Sequence, residues 1–345
     1  MMLALYKAEE TEFSGLGLGI LENVRNDEVR EVLNGQFELQ LQYPVTGRLM
    51  DQIQPDAYIT ARPNPLSDPQ PFRIYRISKG LVGWVTVYAR HISYRLASIV
   101  NTWMESPDLQ EALTSLYRNA VGTCPFRFST DMENFAWFYP MPYPQSIRDR
   151  LLFLRDVQPF DFEFDGYNVR LLAHRGQDRD VWIRYGVNMK DMQFDHQLGE
   201  RYNGIYGYRL SDGGLCIEEA MAMSPDYEEG QEKRLLLKDY TDTSEVFTLQ
   251  ERVEMDVRFY DIGADDSERI LKVDFEQLSR TEEYRDMDLP DDIGMGDTVH
   301  VLYAALGLPV NLRAVEIRYQ PSQRRYKSVT LGSPRKDILG TILAK

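Results

Sequence analysis

Four histidines, two cysteines and a run of aspartates are the residues best equipped for chemistry in this 345-residue chain, and their spacing limits what they can do. His91, His174, His196 and His300 form no HExxH and no helical i,i+4 pair, so they do not spell a zincin-type metal site. His91 ends a strand in YARHISY, where a hydrogen-bonded junction residue is favoured over a catalytic base. Cys124, in TCPF, has no neighbouring histidine to take its proton and reads as a packed small residue. Asp286, Asp288, Asp291, Asp292 and Asp297 gather as a calcium loop would. An EF-hand starting at Asp286 needs glycine at its sixth position and glutamate at its twelfth, yet Asp291 and Asp297 stand there, with Pro290 at the fifth. The cluster therefore reads as a solvated loop ahead of a strand.

Other signals fare no better as chemistry. GLGLG at 15–19 lacks GxGxxG spacing and has no following Lys-Ser/Thr, so it reads as a flexible loop whose glycines supply positive φ. No GxSxG is present for a serine hydrolase. Glu251, Glu254 and Asp256 are expected mostly on the polar face of a helix, opposite Val253 and Val257, rather than paired for glycosidase work. The aromatic run FAWFYPMPYP at 135–144 reads first as a loop capping a core, with a protein interface second and a sugar site centred on Trp137 third. The sequence thus offers no catalytic, cofactor-binding or metal-binding residues.

The elements that position these residues are mostly strands. Asn34-Gly35 precedes Phe37, Leu39, Leu41 and Tyr43 in period-two alternation, a hairpin signal that Pro44 closes. FRIYRI at 72–77 and LVGWVTVYA at 81–89 flank a turn at Lys79-Gly80, and such short strands with turns suggest a barrel or sandwich. Next, Ile92, Leu96, Ile99, Val100 and Trp103 fit one face of a helix. Ser106-Pro107 predicts the start of a second helix burying Leu109, Ala112, Leu113, Leu116 and Tyr117, stopped by Gly122. A third is expected over about 146–154 with Ile147, Leu151 and Leu154 inward. Asp165-Gly166 joins FDFEF to YNVRLLA as another two-residue hairpin. Strands resume at 181–185, 202–210 and LCIEEA, and 224–234 is a charged loop. Thr248 and Glu251 form a capping box for a helix to about Tyr260, with Leu249, Val253, Val257 and Tyr260 apolar and Glu254–Arg258 as a supporting pair. The remainder, 268–333, reads as β. The fold class is mainly β with α+β insertions.

A 43% hydrophobic content supports real cores, and the length suggests two or three domains. The net charge of −15 argues against binding to nucleic acid or anionic membranes. Two cysteines make neither a disulfide framework nor a zinc site and suit a reducing compartment. MMLALYKAEE lacks the basic region of a signal peptide, and no run reaches about 18 apolar residues, the length of a membrane span.

Eight ordered segments carry a family resemblance: NGQFELQLQYP at 34–44, FRIYRI, VYARHISY at 87–94, SIRDRLL at 146–152, FDFEFDGYNVRLLAHRGQDRDVWIRYGVNM at 160–189, VDFEQLSRTEEY, GMGDTVHVLY and RYKSVTLGSP. From about residue 3 to 340 the chain resembles the tail-tip family of long-tailed phages and prophages, known as prophage tail endopeptidase or the N-terminal region of tail-associated lysins. The resemblance implies a fold like the baseplate hub of contractile tails, with two barrel-like domains and smaller ones between them. By that analogy the first barrel is 1–91 completed by 181–223, the α+β insertion is 92–180, a small helix/strand domain is 224–286, and the second barrel is 287–345. Three subunits would form a ring of pseudo-sixfold symmetry adapting a sixfold tube to a threefold tip.

That resemblance implies a structural virion protein of the tail tip, assembled in the bacterial host cytoplasm. Its partners would be two further copies, the distal tail protein, the tape-measure protein and a tail fibre or receptor-binding protein, with DNA passing through the channel. Acidic channel walls would repel DNA phosphates. Hydrolases of the family generally lie in an appended C-terminal domain, and the sequence ends at Lys345 after GSPRKDIL, so no enzyme is expected. The alternative is a tail-associated endopeptidase or peptidoglycan hydrolase acting on the host wall.

Overall fold

The computed structural model describes residues 3–80, 83–102, 104–133, 136–141, 143–157, 160–198, 202–241, 247–259, 262, 267–284, 287, 289–303 and 308–332. They form two compact units, one within 3–154, 160–194 and 270–332, the other within 155–157 and 195–269. Strands β1 (Ala4–Tyr6), β2 (Gly19–Ile20), β3 (Arg25–Val32), β4 (Phe37–Pro44), β5 (Tyr58–Ala61), β6 (Gln70–Lys79) and β7 (Trp84–His91) come first. After them lie β8 (Val100–Asn101), β9 (Met104–Asp108), α1 (Leu109–Arg118), β10 (Arg127–Thr130), β11 (Ala136–Met141), β12 (Gln145–Ser146), α2 (Ile147–Val157), β13 (Asp161–Asp165) and β14 (Asn168–Leu172). Then follow β15 (Asp178–Arg184), β16 (Met189–Leu198), β17 (Gly204–Leu210), β18 (Cys216–Met223), β19 (Leu235–Asp239), α3 (Leu249–Phe259), β20 (Ser267–Phe275), β21 (Thr298–Tyr303), β22 (Leu308–Gln320) and β23 (Arg325–Gly332).

One 13-stranded sheet joins the two ends of the chain, because β22 pairs antiparallel with β3, setting Ile317 opposite Glu31. Its order is β16-β20-β23-β22-β3-β4-β7-β6-β5-β1-β2, with β21 on β22 and β15 parallel to β21. Asn34 sits at φ 59 in the β3–β4 turn, where the Val32 amide donates to the Gln36 carbonyl at 2.7 Å, as the Asn-Gly pair predicts. Alternation then sends Phe37, Leu39, Leu41 and Tyr43 into a core shared with Leu5, Ile59, Phe72 and Val85. A second core, of Val181, Ile183, Val273, Val299, Ile317 and Val329, lies under the other end of the same sheet.

The insertion departs from its periodicity. Residues Ile92–Ser98 form a 3-10 helix only, and Val100–Asn101 is already a strand paired with Gln145–Ser146. The expected continuation through Ile99 and Val100 therefore does not form, Val100 is exposed, and Trp103 lies outside the described residues. Helix α1 starts later than Ser106-Pro107: Asp108 is its cap, its carboxylate accepting from the Glu111 amide at 2.9 Å. Leu109, Ala112, Leu113 and Leu116 are buried as expected, but Tyr117 is exposed. Helix α2 buries Ile147, Leu151 and Leu154, and the β13–β14 hairpin turns at Gly166 with φ 55.

In the other unit β17 pairs with β18 and, in parallel, with β19, so the strands over 204–223 share a sheet with the stretch that follows them. Helix α3 covers this sheet through Leu249, Val253 and Val257, while Tyr260 lies outside the described residues. Its capping box is formed: the Glu251 carboxylate accepts from the Thr248 amide at 3.0 Å, and the Glu251 amide donates to Thr248 Oγ1 at 3.2 Å. Gly207 is required beneath it, since a Cβ there would stand 2.5 Å from Val253 Cγ2. No helix among the described residues is long and apolar enough to cross a membrane.

Candidate functional site

A gathering of charged side chains forms a buried junction in the larger unit. It draws on the β3–β4 turn, the start of β13, the β14–β15 connection, the β21 lead-in and β22. Arg175, held by the β14–β15 connection, donates through Nη2 to Glu31 Oε1 at 2.7 Å and through Nη1 to the Phe162 carbonyl at 3.2 Å. Asp161 accepts at Oδ1 from Asn34 Nδ2 at 2.9 Å and at Oδ2 from the Arg175 amide at 2.9 Å. Arg313 of β22 reaches the same Asp161 Oδ2 and the Arg175 carbonyl, and its Nε donates to the Gly296 carbonyl at 3.0 Å. Asp297 accepts from the Gln177 amide at 2.8 Å, from Arg179 Nε at 2.9 Å and from the Gly294 amide at 2.7 Å. Glu31, Asp161 and Asp297 are all buried.

Two glycines make this closeness possible. Gly176 and Gly296 have φ +90 and +84, and a Cβ on Gly176 would lie 2.1 Å from the Gly296 carbonyl carbon. The GMGDTV and HRGQDRD segments, both parts of the family resemblance, thus meet backbone to backbone. Sequence reasoning missed Gly176, Glu31, Asp161, Arg175 and Arg313; the partners of Arg175 and Arg313 lie more than a hundred residues away.

His91 packs nearby as a buried neutral ring. Nδ1 lies 2.9 Å from Ser93 Oγ and accepts from the Ser93 amide, and Nε2 faces Gln70 Oε1 at 3.3 Å. Its ring stacks on Phe37 with centroids 4.4 Å apart. Burial, with a smaller contribution from the Arg175 charge, pushes its pKa down to about 3. A histidine this resistant to protonation is the junction residue its sequence context suggests.

The other candidates are scattered. Gly15, Gly17 and Gly19 all have positive φ, and Tyr6 Oη donates to the Gly15 carbonyl at 2.6 Å. Asp291 accepts from the Ser279 amide at 2.8 Å and Asp292 from Gln277 Nε2 at 2.8 Å, whereas Asp286 and Asp288 lie outside the described residues. Cys124 is buried, which raises its thiol pKa and makes the thiolate scarce. Asp256 departs from expectation: it is buried, accepting from Tyr240 Oη at 2.7 Å and pairing with Lys238 at 2.5 Å. His174 is exposed, and the side chains of His196 and of residues 134–142, Trp137 included, lie outside the described set. His300 bridges β21 to Asn311 Oδ1 at 2.8 Å and to Asp178 at 3.0 Å, with its ring stacked on Trp182.

Together, these arrangements tie strands to one another; at Asp161 and Asp297 both carboxylate oxygens are occupied by protein donors. No family model matches the sequence, and no curated protein matches it. Solved structures do. Prophage tail protein gp18 of Listeria monocytogenes EGD-e superposes at TM-score 0.61 with 14% identity, over 100% of both chains. The fold is that of prophage tail proteins. The 43 kDa tail protein of prophage MuSo2 from Shewanella oneidensis matches at TM-score 0.64 and 12% identity, covering 97% of this chain and 99% of that one. A tail protein of Neisseria meningitidis MC58 matches at 0.62 and 9%, over 96% of each. At such low identity the likeness carries the architecture alone.

Proposed function

We propose that this chain is a structural component of a phage or prophage tail tip, a hub protein with no hydrolytic role. The observation that carries the reading is the end-to-end match to prophage tail proteins, at TM-scores of 0.61–0.64 over at least 96% of each chain. The buried junction supports it from the chemical side, because Asp161 and Asp297 spend both carboxylate oxygens on internal donors. In this reading three copies form a ring that closes or adapts the tail tube, with the two ends of the chain contributing barrel-like halves. The ring joins the distal tail protein and tape-measure protein to receptor-binding parts, is assembled in the host cytoplasm and lets DNA pass. Labelling an epitope-tagged copy in intact particles by immunogold electron microscopy tests this. Gold at the distal end of the tail is expected; particles that carry label elsewhere, or none, would refute it.

A further inference from the structure

The outer face of β6 and β7 carries a ladder of arginines laid on aromatic rings. On β7, Val85, Val87 and Ala89 point into the core, so Trp84, Tyr88 and Arg90 point outward. Arg25 lies over the Trp84 ring with its guanidinium carbon 4.3 Å from the centroid. Arg76 lies over Tyr88 at 5.1 Å, and Arg90 over Tyr75 at 4.3 Å. Tyr94, just beyond the strand, takes Arg90 at 5.4 Å and Arg148 at 4.9 Å. From Trp84 to Arg90 the ladder runs about 20 Å. At its Trp84 end it opens into a cleft lined by Glu22, Arg25, Tyr43 and Arg48.

Pairing is uneven along this ladder. Arg90 donates to Glu38 at 3.2 Å, and Arg73 on the same strand pair is matched to Asp56 at 2.7 Å. Among the described residues, Arg25, Arg76 and Arg148 meet no carboxylate; Asp149, next to Arg148, is engaged with Ser146 Oγ at 2.6 Å. A guanidinium stacked on a ring keeps its N–H edge free, in a fixed plane suited to a bidentate carboxylate. Three such groups on one face stand out in a chain whose net charge is −15.

We propose that this ladder is a docking surface for an acidic protein segment, whose carboxylates pair with the free edges of Arg25, Arg76 and Arg148. Charge complementarity selects an acidic partner. A nucleic acid fits less well, since a guanidinium already occupies a face of each ring that a base would stack on, and the net charge repels a polyphosphate. The surface is defined by these contacts alone, so it stands apart from the tail-tip reading.

Fluorescence anisotropy on the full-length protein tests this with two labelled probes, a peptide alternating glutamate with alanine and an oligothymidylate. The peptide is expected to bind, more weakly as salt rises, and to lose about tenfold in affinity in the R25Q/R76Q/R148Q variant. R73Q, which removes an arginine already paired, leaves binding unchanged. R25K/R76K/R148K keeps the charge, restores part of the affinity and decides the matter should the glutamine variant fail to fold. Self-association of the wild type that the triple substitution abolishes would support the proposal and identify the acidic partner as a second copy. Peptide binding that is absent, or equal in wild type and both triple variants, would overturn the proposal, as would tighter thymidylate binding lost through the same arginines.

Discussion

Replacing Arg175 with methionine removes the single most demanding contact of the junction. Glu31 has one oxygen paired with Arg175, and its other oxygen is buried without a partner among the described residues. Loss of the guanidinium leaves a buried carboxylate with neither oxygen matched, and removing one partner from a buried ion pair costs about 3–5 kcal/mol. The Nη1 bond to the Phe162 carbonyl goes as well, adding about 1 kcal/mol. The backbone contacts of Arg175 to Asp161 and Arg313 survive, so the fold should hold and the loss should be measurable. Trp84 and Trp182 belong to the unit containing the junction, so their fluorescence in urea reports that unit. In a unit of this size each 1 kcal/mol lowers Tm by about 2–4 °C, giving a fall on the order of 10 °C. The companion variant, Arg175→Met with Glu31→Leu, removes both charges and should recover most of the loss. A single variant within about 1 kcal/mol of wild type, as for a surface pair, or a double variant no better than the single, would refute the reasoning.

Other consequences follow from the same geometry. Gly176→Ala forces a Cβ onto the Gly296 backbone at positive φ and should cost about 2–6 kcal/mol, against about 1–2 for Gly214→Ala, whose site has φ +76 but open space; urea midpoints distinguish them. The Asn311 hydrogen bond, helped by Asp178, raises the His300 pKa, so its contribution to stability is complete below about pH 6.5 and is lost as pH rises through the folded value. Thermal melts across pH 6–9 should therefore show a decline that His300→Gln removes. His91 runs the opposite way: burial lowers its pKa to about 3, so the unfolded chain takes up a proton first and stability falls as pH drops from about 6.5 towards 3. A urea midpoint series over that window should flatten in His91→Gln.

Local patterns were legible in the sequence because local physics sets them. Phe37, Leu39, Leu41 and Tyr43 alternate since one face of their strand is buried, and Thr248 with Glu251 closes a cap within four residues. The 92–103 helix failed for a tertiary reason. Its apolar spacing fits a helix, but the Ile99 carbonyl accepts from the Ile147 amide at 2.9 Å and Val100 pairs with Ser146, drawing the chain into a strand. Asp256 stands beside buried Val257 on α3, and its burial depends on Lys238 of β19 and Tyr240 just after it, a strand the periodicity does not place. Family resemblance reached the architecture, which residue spacing alone left open between barrel and sandwich.

The junction illustrates why charged residues within family-like segments need not signal chemistry. A catalytic carboxylate must keep a lone pair or a proton for its substrate. Asp297 spends Oδ1 on the Gln177 amide and Oδ2 on Arg179 and the Gly294 amide, while Asp161 spends its two oxygens on Asn34, the Arg175 amide and Arg313. Each of these aspartates joins segments separated by more than a hundred residues, and the Gly176–Gly296 contact fixes how near they come. Ladder hydrogen bonds specify register only loosely where the β14–β15 connection meets the β21 lead-in, since parallel β15 and β21 pair irregularly between Asp178 and Val181. Buried, directional pairs remove that freedom, because a displaced register would strand a charge away from water. The acids and bases of this region therefore work as a latch on register, which a β-sheet built from both ends of a chain requires.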